Sequence, residues 1–212
     1  MPTPRRTARA SDPAPPDGRR PPRKRRAEVL EAAGELVLEK GYEATSTAEI
    51  AARLGILRGS VYYYMDTKEG LLFELLENAA DGFLRAVDAV RRSDVDALTK
   101  LARIVEEHVH YIAANRVATT LFLIEARSLS PEHQAIVAER TEEYRNAITE
   151  FVHEGQRTNA IRDDVRPEWA TMLLLGAANW THRWLGRAPS DAVDEIARDF
   201  AAMIVDGLRP RT

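Results

Sequence analysis

Cysteine is missing from all 212 residues, which excludes a disulfide framework, a thiolate nucleophile and cysteine-ligated zinc, and suits a reducing compartment. Long apolar runs are missing too: no stretch of about 18 apolar residues occurs, and the Arg- and Pro-rich start has none behind it. Neither a membrane span nor a secretory signal is therefore expected, and the cytoplasm is the expected location. Strand-like alternation of apolar and polar residues is absent, and no repeat of about 20 to 50 residues argues for a helical solenoid. No serine sits in a nucleophile turn and no Gly-rich loop follows a strand, so neither enzymatic activity nor a cofactor is expected. His108 and His110 stand two apart and cannot share a helix face, while His133, His153 and His182 show no ligand spacing, so no metal site is expected.

What is present is unevenly spread charge. Met1 to Arg26 carries nine basic residues (Arg5, Arg6, Arg9, Arg19, Arg20, Arg23, Lys24, Arg25, Arg26) against Asp12 and Asp17, a balance of +7 within a chain of net charge −3. Ala27 to Thr212 must then carry −10. Seven of the eleven prolines fall in the first 22 residues, so residues 1–22 are expected to be a disordered basic arm that can neutralise phosphates without folding. Between Ala27 and Glu77 only Lys40, Arg53, Arg58 and Lys68 oppose ten acidic residues, a balance of −6. If that stretch meets a polyanion, Arg19 to Arg26 must supply most of the sequence-independent attraction, at phosphates or in the minor groove.

Beyond the arm, apolar residues recur at three and four, which predicts an all-α fold of nine helices. The first spans 23–40, with Val29, Leu30, Ala33, Leu36 and Val37 on one face and Gly41 as its stop. Ser46 and Glu49 form a capping-box pair for a second helix that ends at Gly55. A third runs only from Leu57 or Arg58 to about Tyr64 and cannot stand alone in water. A fourth, capped by Thr67 or Asp66, continues to about Arg92. Five more are expected over 94–115, 117–128, 131–158, 167–185 and 190–207, with Ser93, Ser130 and Ser190 as caps.

The order of features from Gly41 to Leu72, a capped helix, a Gly turn, a short Arg/Gly/Ser helix, a tyrosine cluster and a Lys-Glu helix start, resembles the TetR family of transcriptional regulators. The resemblance implies a nine-helix fold with a helix-turn-helix over 23–68 and a ligand-binding and dimerisation domain over 69–212. It implies a cytoplasmic repressor that holds a palindromic operator as a homodimer until a small-molecule effector releases it. With the third helix in the major groove, Arg58 can pair with guanine O6 and N7, Gly59 lets the backbone approach, and Ser60 can donate or accept. Thr45, Ser46 and Thr47 at one helix start and Lys68 at another suit phosphates. Tyr62, Tyr63 and Tyr64 cannot all be buried on so short a helix; the resemblance gives Tyr64 the phosphate, with Tyr63 beside it, and Tyr62 a partial core role. Two positions depart from the family's habit: Leu57 stands where serine is frequent, and Met65 where phenylalanine is.

The resemblance further implies that the last two helices pair with their copies while helices four to eight enclose a cavity. In NWTHRW, Asn179 with Arg183 and Trp180 with Trp184 are spaced four apart, as on adjoining stripes of one helix, and rings beside an arginine suit an acidic, partly apolar ligand. Together with GILRGSVYYYM and FLIEARSL, that stretch resembles the branch that responds to acyl-coenzyme A thioesters. Asn179, Trp180, Arg183 and Trp184 are accordingly the candidate effector contacts, with Tyr111 and Arg127 in reserve. The alternative is a helical adaptor whose basic arm meets RNA or a protein; Arg58, Gly59 and Ser60 behind a Gly turn favour DNA.

Overall fold

A computed structural model describes residues 23–211, and the arm at residues 1–22 lies outside them. Nine α-helices and no strand occur among the described residues. Helix α1 (Arg23–Lys40) packs Val29, Ala33, Leu36 and Val37 inward and stops at Gly41. Helix α2 (Thr47–Leu54) starts at Ser46, whose hydroxyl accepts from the Glu49 backbone N–H, while the Glu49 carboxylate accepts from the Ser46 N–H at 3.0 Å. It ends at Gly55, where φ is 63°, a left-handed turn that a side chain would strain. That turn aims α3 (Arg58–Val61), a single turn anchored by the fully buried Val61 and followed by looser backbone through Tyr64.

Helix α4 (Lys68–Arg91) is capped by Thr67 and joins two cores. Its first half gives Leu71, Leu72, Leu75 and Leu76 to a core shared with α1 and α2, which also takes Leu121, Leu129 and Val137. Its second half gives Phe83, Leu84, Val87 and Val90 to a larger core built with α5 (Ala97–Ala114), α7 (Pro131–Arg157), α8 (Pro167–Trp180) and α9 (Val193–Leu208). The expected division after residue 68 therefore falls at the start of a helix that serves both halves. Helix α6 (Arg116–Ile124) and a 3-10 turn at Ala126–Ser128 wedge between them.

Several boundaries depart from expectation. Asp96, not Ser93, caps α5, because its carboxylate accepts from the Thr99 N–H at 3.0 Å; the Ser93 hydroxyl donates back to Val90 O instead. Helix α8 stops at Trp180, five residues early, where the Thr181 hydroxyl donates to Ala178 O at 2.6 Å and the chain tightens into 3-10 turns at Thr181–Arg183 and Leu185–Arg187. Helix α9 begins at Val193 after a further such turn, Ser190–Ala192.

Candidate functional site

The basic residues of the α1–α4 head differ sharply in availability. Lys40 pairs with Glu49, and Arg53 holds Glu39 through two hydrogen bonds of 2.8 and 2.7 Å. Arg26 holds Glu74 and donates to the Tyr64 carbonyl at 2.8 Å, and Arg25 pairs with Glu28, so the last two arginines of the Arg19 to Arg26 run are committed to the fold. Lys68 donates to Tyr42 O at 2.9 Å and Thr45 O at 3.1 Å with its ammonium 4.1 Å above the Tyr42 ring, so it mainly fixes the start of α2. Among the described residues Arg58 alone in the head's four has no carboxylate or carbonyl partner, and it is exposed at the front of α3 beside exposed Gly59 and half-buried Ser60.

Around Arg58 the exposed surface is aromatic and hydroxylic. Tyr62 and Tyr63 are 49% and 42% exposed, and the Tyr62 hydroxyl lies 3.4 Å from that of Thr47. Hydrogen bonding to Thr47 first, and the Arg58 guanidinium after it, hold the Tyr62 phenol below its usual value. Ser46, Thr47, Arg58 and Tyr62 thus share one face, the arrangement of a helix start and a cation facing a phosphate chain. Two expectations are corrected. Thr45 is only 3% exposed and its hydroxyl donates to Gly41 O at 2.9 Å, so it cannot reach a phosphate. Tyr62, expected to be partly core, faces out, because Val61 and Met65 take the inward positions on either side, while Tyr64 is half-buried against the head core.

In the second half, α6, α7 and α8 enclose a cleft of about 610 Å³. Its walls include Phe122, Leu123, Val137, Leu175 and Gly176, and Arg127, Gln134, Arg145 and Asn179 line it as well. Arg145 is paired with Glu142, whereas Arg127 is exposed and has no carboxylate partner among the described residues. Deeper in, a small cavity of about 40 Å³ continues past Phe122 and Asn179 to Phe83, His108, Arg140 and Tyr144. There His108 Nδ1 lies 3.0 Å from the Tyr144 hydroxyl and Nε2 2.9 Å from Asn179 Oδ1, with the ring stacked on Phe83. Burial pushes the His108 imidazole down to about 4, against a smaller upward pull from Asn179, so the ring is neutral at pH 7. Burial likewise raises the Tyr144 phenol far above its usual value.

Of the six expected effector contacts the cleft brings together Asn179 and Arg127 and not the others. Trp180 is 60% exposed outside it, with the Arg183 guanidinium 5.1 Å from its ring. Trp184 packs against Phe200 in the larger core, and the early end of α8 removes the four-residue spacing on which the grouping rested. Tyr111 lies against Gly82 of α4, where a β-carbon would fall 2.0 Å from the ring, and its hydroxyl donates to Asn78 O at 3.2 Å. His108, Tyr144 and Gln134 were missed.

The cleft and the head are tied together at the start of α4. The Glu69 carboxylate accepts from the Ser130 N–H at 3.0 Å and meets His133 Nδ1 at 2.7 Å, and the His133 ring stacks on Phe73 at 3.8 Å. Burial acts to raise the Glu69 carboxyl, but Ser130 and His133 together hold it below its usual value. Gln134, one residue further on, lines the cleft and donates to Leu129 O at 2.8 Å, while Val137 both lines the cleft and enters the head core. On the outside of the molecule, Trp169, Leu173, Ala177, Met203, Ile204 and Gly207 line a groove between α8 and α9 in which Trp169, Leu173 and Met203 are exposed. No helix among the described residues is long and apolar enough to cross a membrane, and none of their His, Asp and Glu side chains gather in threes as metal ligands would.

Two family models match the chain: "Bacterial regulatory proteins, tetR family" over residues 29–75 and "Tetracyclin repressor-like, C-terminal domain" over residues 94–208. The chain is 29% identical to the HTH-type transcriptional repressor KstR2 of Rhodococcus jostii over 87% of its length and 91% of the relative's. It is 23% identical to the fatty acid metabolism regulator protein of Bacillus subtilis, covering 85% and 94%. Among solved structures, that of AibR in complex with isovaleryl coenzyme A and operator DNA shares the fold, with a TM-score of 0.74 at 24% identity over 89% of this chain and all of the other.

Proposed function

The chain belongs to the TetR family of bacterial regulatory proteins, and from that premise we propose that it is a repressor, without a catalysed reaction of its own, working on DNA in the cytoplasm. It holds a palindromic operator as a homodimer and lets go when an anionic, largely apolar small molecule of the acyl-coenzyme A kind fills the cleft. Arg58, Gly59 and Ser60 read base edges, Tyr62, Tyr63, Ser46 and Thr47 meet phosphates, and Lys68 positions them. The exposed groove between α8 and α9 is the seam with the second copy. An acyl chain or ring lies along Phe122, Val137 and Leu175, while the thioester's charged portion remains at the mouth near Arg127. The relatives named as a repressor and as a fatty acid regulator, and the neighbour with bound isovaleryl coenzyme A, support this choice of class.

The observation that carries the reading is the unbroken run of contacts from cleft to reading head. Val137 and Gln134 border the cleft, Ser130 and His133 grip Glu69, and the next residue, Lys68, grips the carbonyls ahead of α2. A ligand that spreads α7 from α6 must therefore move the start of α4 and with it α2 and α3. In a dimer the two α3 helices must stand about 34–36 Å apart to meet successive major grooves, so a small shift at each α4 separates operator-competent from released states. Calorimetric titration with acyl-coenzyme A thioesters tests the site. Asn179→Leu and Arg127→Ala should each weaken binding about tenfold, or about 1.4 kcal/mol, and leave effector-free operator affinity unchanged. Unaltered thioester binding in both variants would remove the effector from this cleft.

A further inference from the structure

Leu57 is 80% exposed, the most exposed of the large apolar side chains among the described residues, and it stands immediately ahead of Arg58 at the head of α3. Its backbone is the N-cap of that helix, with φ −67° and ψ 144°, and its carbonyl accepts from the Ser60 N–H at 2.9 Å. The position asks for a side-chain oxygen to satisfy a free N–H, and leucine supplies none. The fold thus loses a cap and leaves an apolar side chain in water at the same residue, while its neighbour Ile56 is the one turned toward the core. Packing explains neither feature. Leu57 instead shares the exposed front of α3 with Arg58, beyond the Tyr62 and Thr47 surface that suits phosphates.

A surface that enters the major groove meets hydrogen-bonding edges at every base pair but only one apolar group, the C5-methyl of thymine. We propose that Leu57 is a specificity residue that reads a thymine methyl in each half-site, next to the base addressed by Arg58. The inference rests on operator binding through α3. Serine at this position would cap the helix and accept many bases, whereas leucine fits a T·A pair and leaves the polar edges of G·C unpaired.

Deoxyuridine differs from thymidine only in lacking that methyl, which allows a clean test. An operator is selected from random duplexes with the full-length wild-type protein, then synthesised with thymidine or with deoxyuridine throughout, and bound by wild type, Leu57→Ala and Leu57→Ser. Wild type should lose about fourfold per half-site on the deoxyuridine duplex, the equivalent of one buried methyl. Both variants should bind the thymidine duplex more weakly and lose distinctly less than wild type on going to deoxyuridine; Leu57→Ser, which regains a cap, shows that the loss is not one of folding. Equal losses for all three proteins would overturn the assignment to Leu57 while operator binding stood. Failure of wild type to select any sequence would overturn operator binding by α3 and the inference with it.

Discussion

Among single residues Arg58 stands out, because it is the one cation of the −6 head that neither a carboxylate nor a carbonyl engages among the described residues. Arg58→Ala should cost roughly 1–3 kcal/mol of operator binding and relax preference at one base pair per half-site, read by competition among single-base operator variants. Unchanged affinity and preference would mean that α3 meets DNA in another register. His108 offers an independent test through pH. Its pKa falls from the ordinary 6.5 to about 4 on folding, so between those values the unfolded chain binds the extra proton. Stability is therefore lost as pH drops from about 6.5 toward 4, by on the order of 3 kcal/mol. The non-titrating His108→Gln variant, less stable at pH 7, should show a flatter decline in chemical denaturation over that range; parallel declines would contradict the assignment. The place of Arg58 at the exposed head of α3 was legible in the sequence, because the Gly turn before it and the capped helix behind that turn are local signals. The placements of Thr45 and Tyr62 were not, since the first depends on a bond back to Gly41 O and the second on Val61 and Met65 taking the inward positions in the head core. His108 did leave a trace: it continues the stripe of Leu101, Ile104, Val105 and Ile112 on α5, a polar residue in a core position.

At the scale of elements, helix identity followed from periodicity and caps, and α1, α2, α4 and α7 fall within about two residues of expectation. Helix α8 did not, because its end is set by side-chain bonds from Thr181 and His182 back to the carbonyls of Ala178 and Asn179, which compete with the helical pattern without any proline or glycine to announce them. The tie between α4 and α7 was equally hidden, since Glu69 and His133 lie far apart in the chain. It is the joint through which the proposed release must pass. Glu69→Ala should leave thioester affinity within about twofold yet shrink the effector's influence on operator affinity by about tenfold, or about 1.4 kcal/mol of coupling. Measuring the two ligands' affinities in each other's presence and absence checks this. Full coupling in the variant would place the transmission elsewhere, with the Arg140 to Asp81 ion pair between α7 and α4 as the next candidate.

For the whole molecule, symmetry and the arm complete the mechanism. Leu173→Glu puts a charge into the exposed groove between α8 and α9 and should yield monomers by light scattering, with operator affinity lowered at least about a hundredfold as the second half-site is lost. Dimers in that variant would move the seam to another face. Residues 1–22 lie outside the described residues, and their proposed role follows from charge alone: with Arg25 and Arg26 engaged within the fold, the phosphate-binding burden shifts to the arginines before them. Deleting them should weaken operator and random DNA alike and reduce the salt dependence by about one unit of slope per lost phosphate contact. Whether operator and effector oppose one another on the same molecule can be read by fluorescence anisotropy of a selected operator duplex. The full-length protein would be titrated in the presence of acyl-coenzyme A thioesters ranging from short branched to ring-bearing acyl groups. At least one thioester should raise the operator Kd by about tenfold or more, and operator should lower the affinity for that thioester by the same factor. A thioester that binds the cleft at saturation and leaves the operator Kd where it was would contradict that opposition.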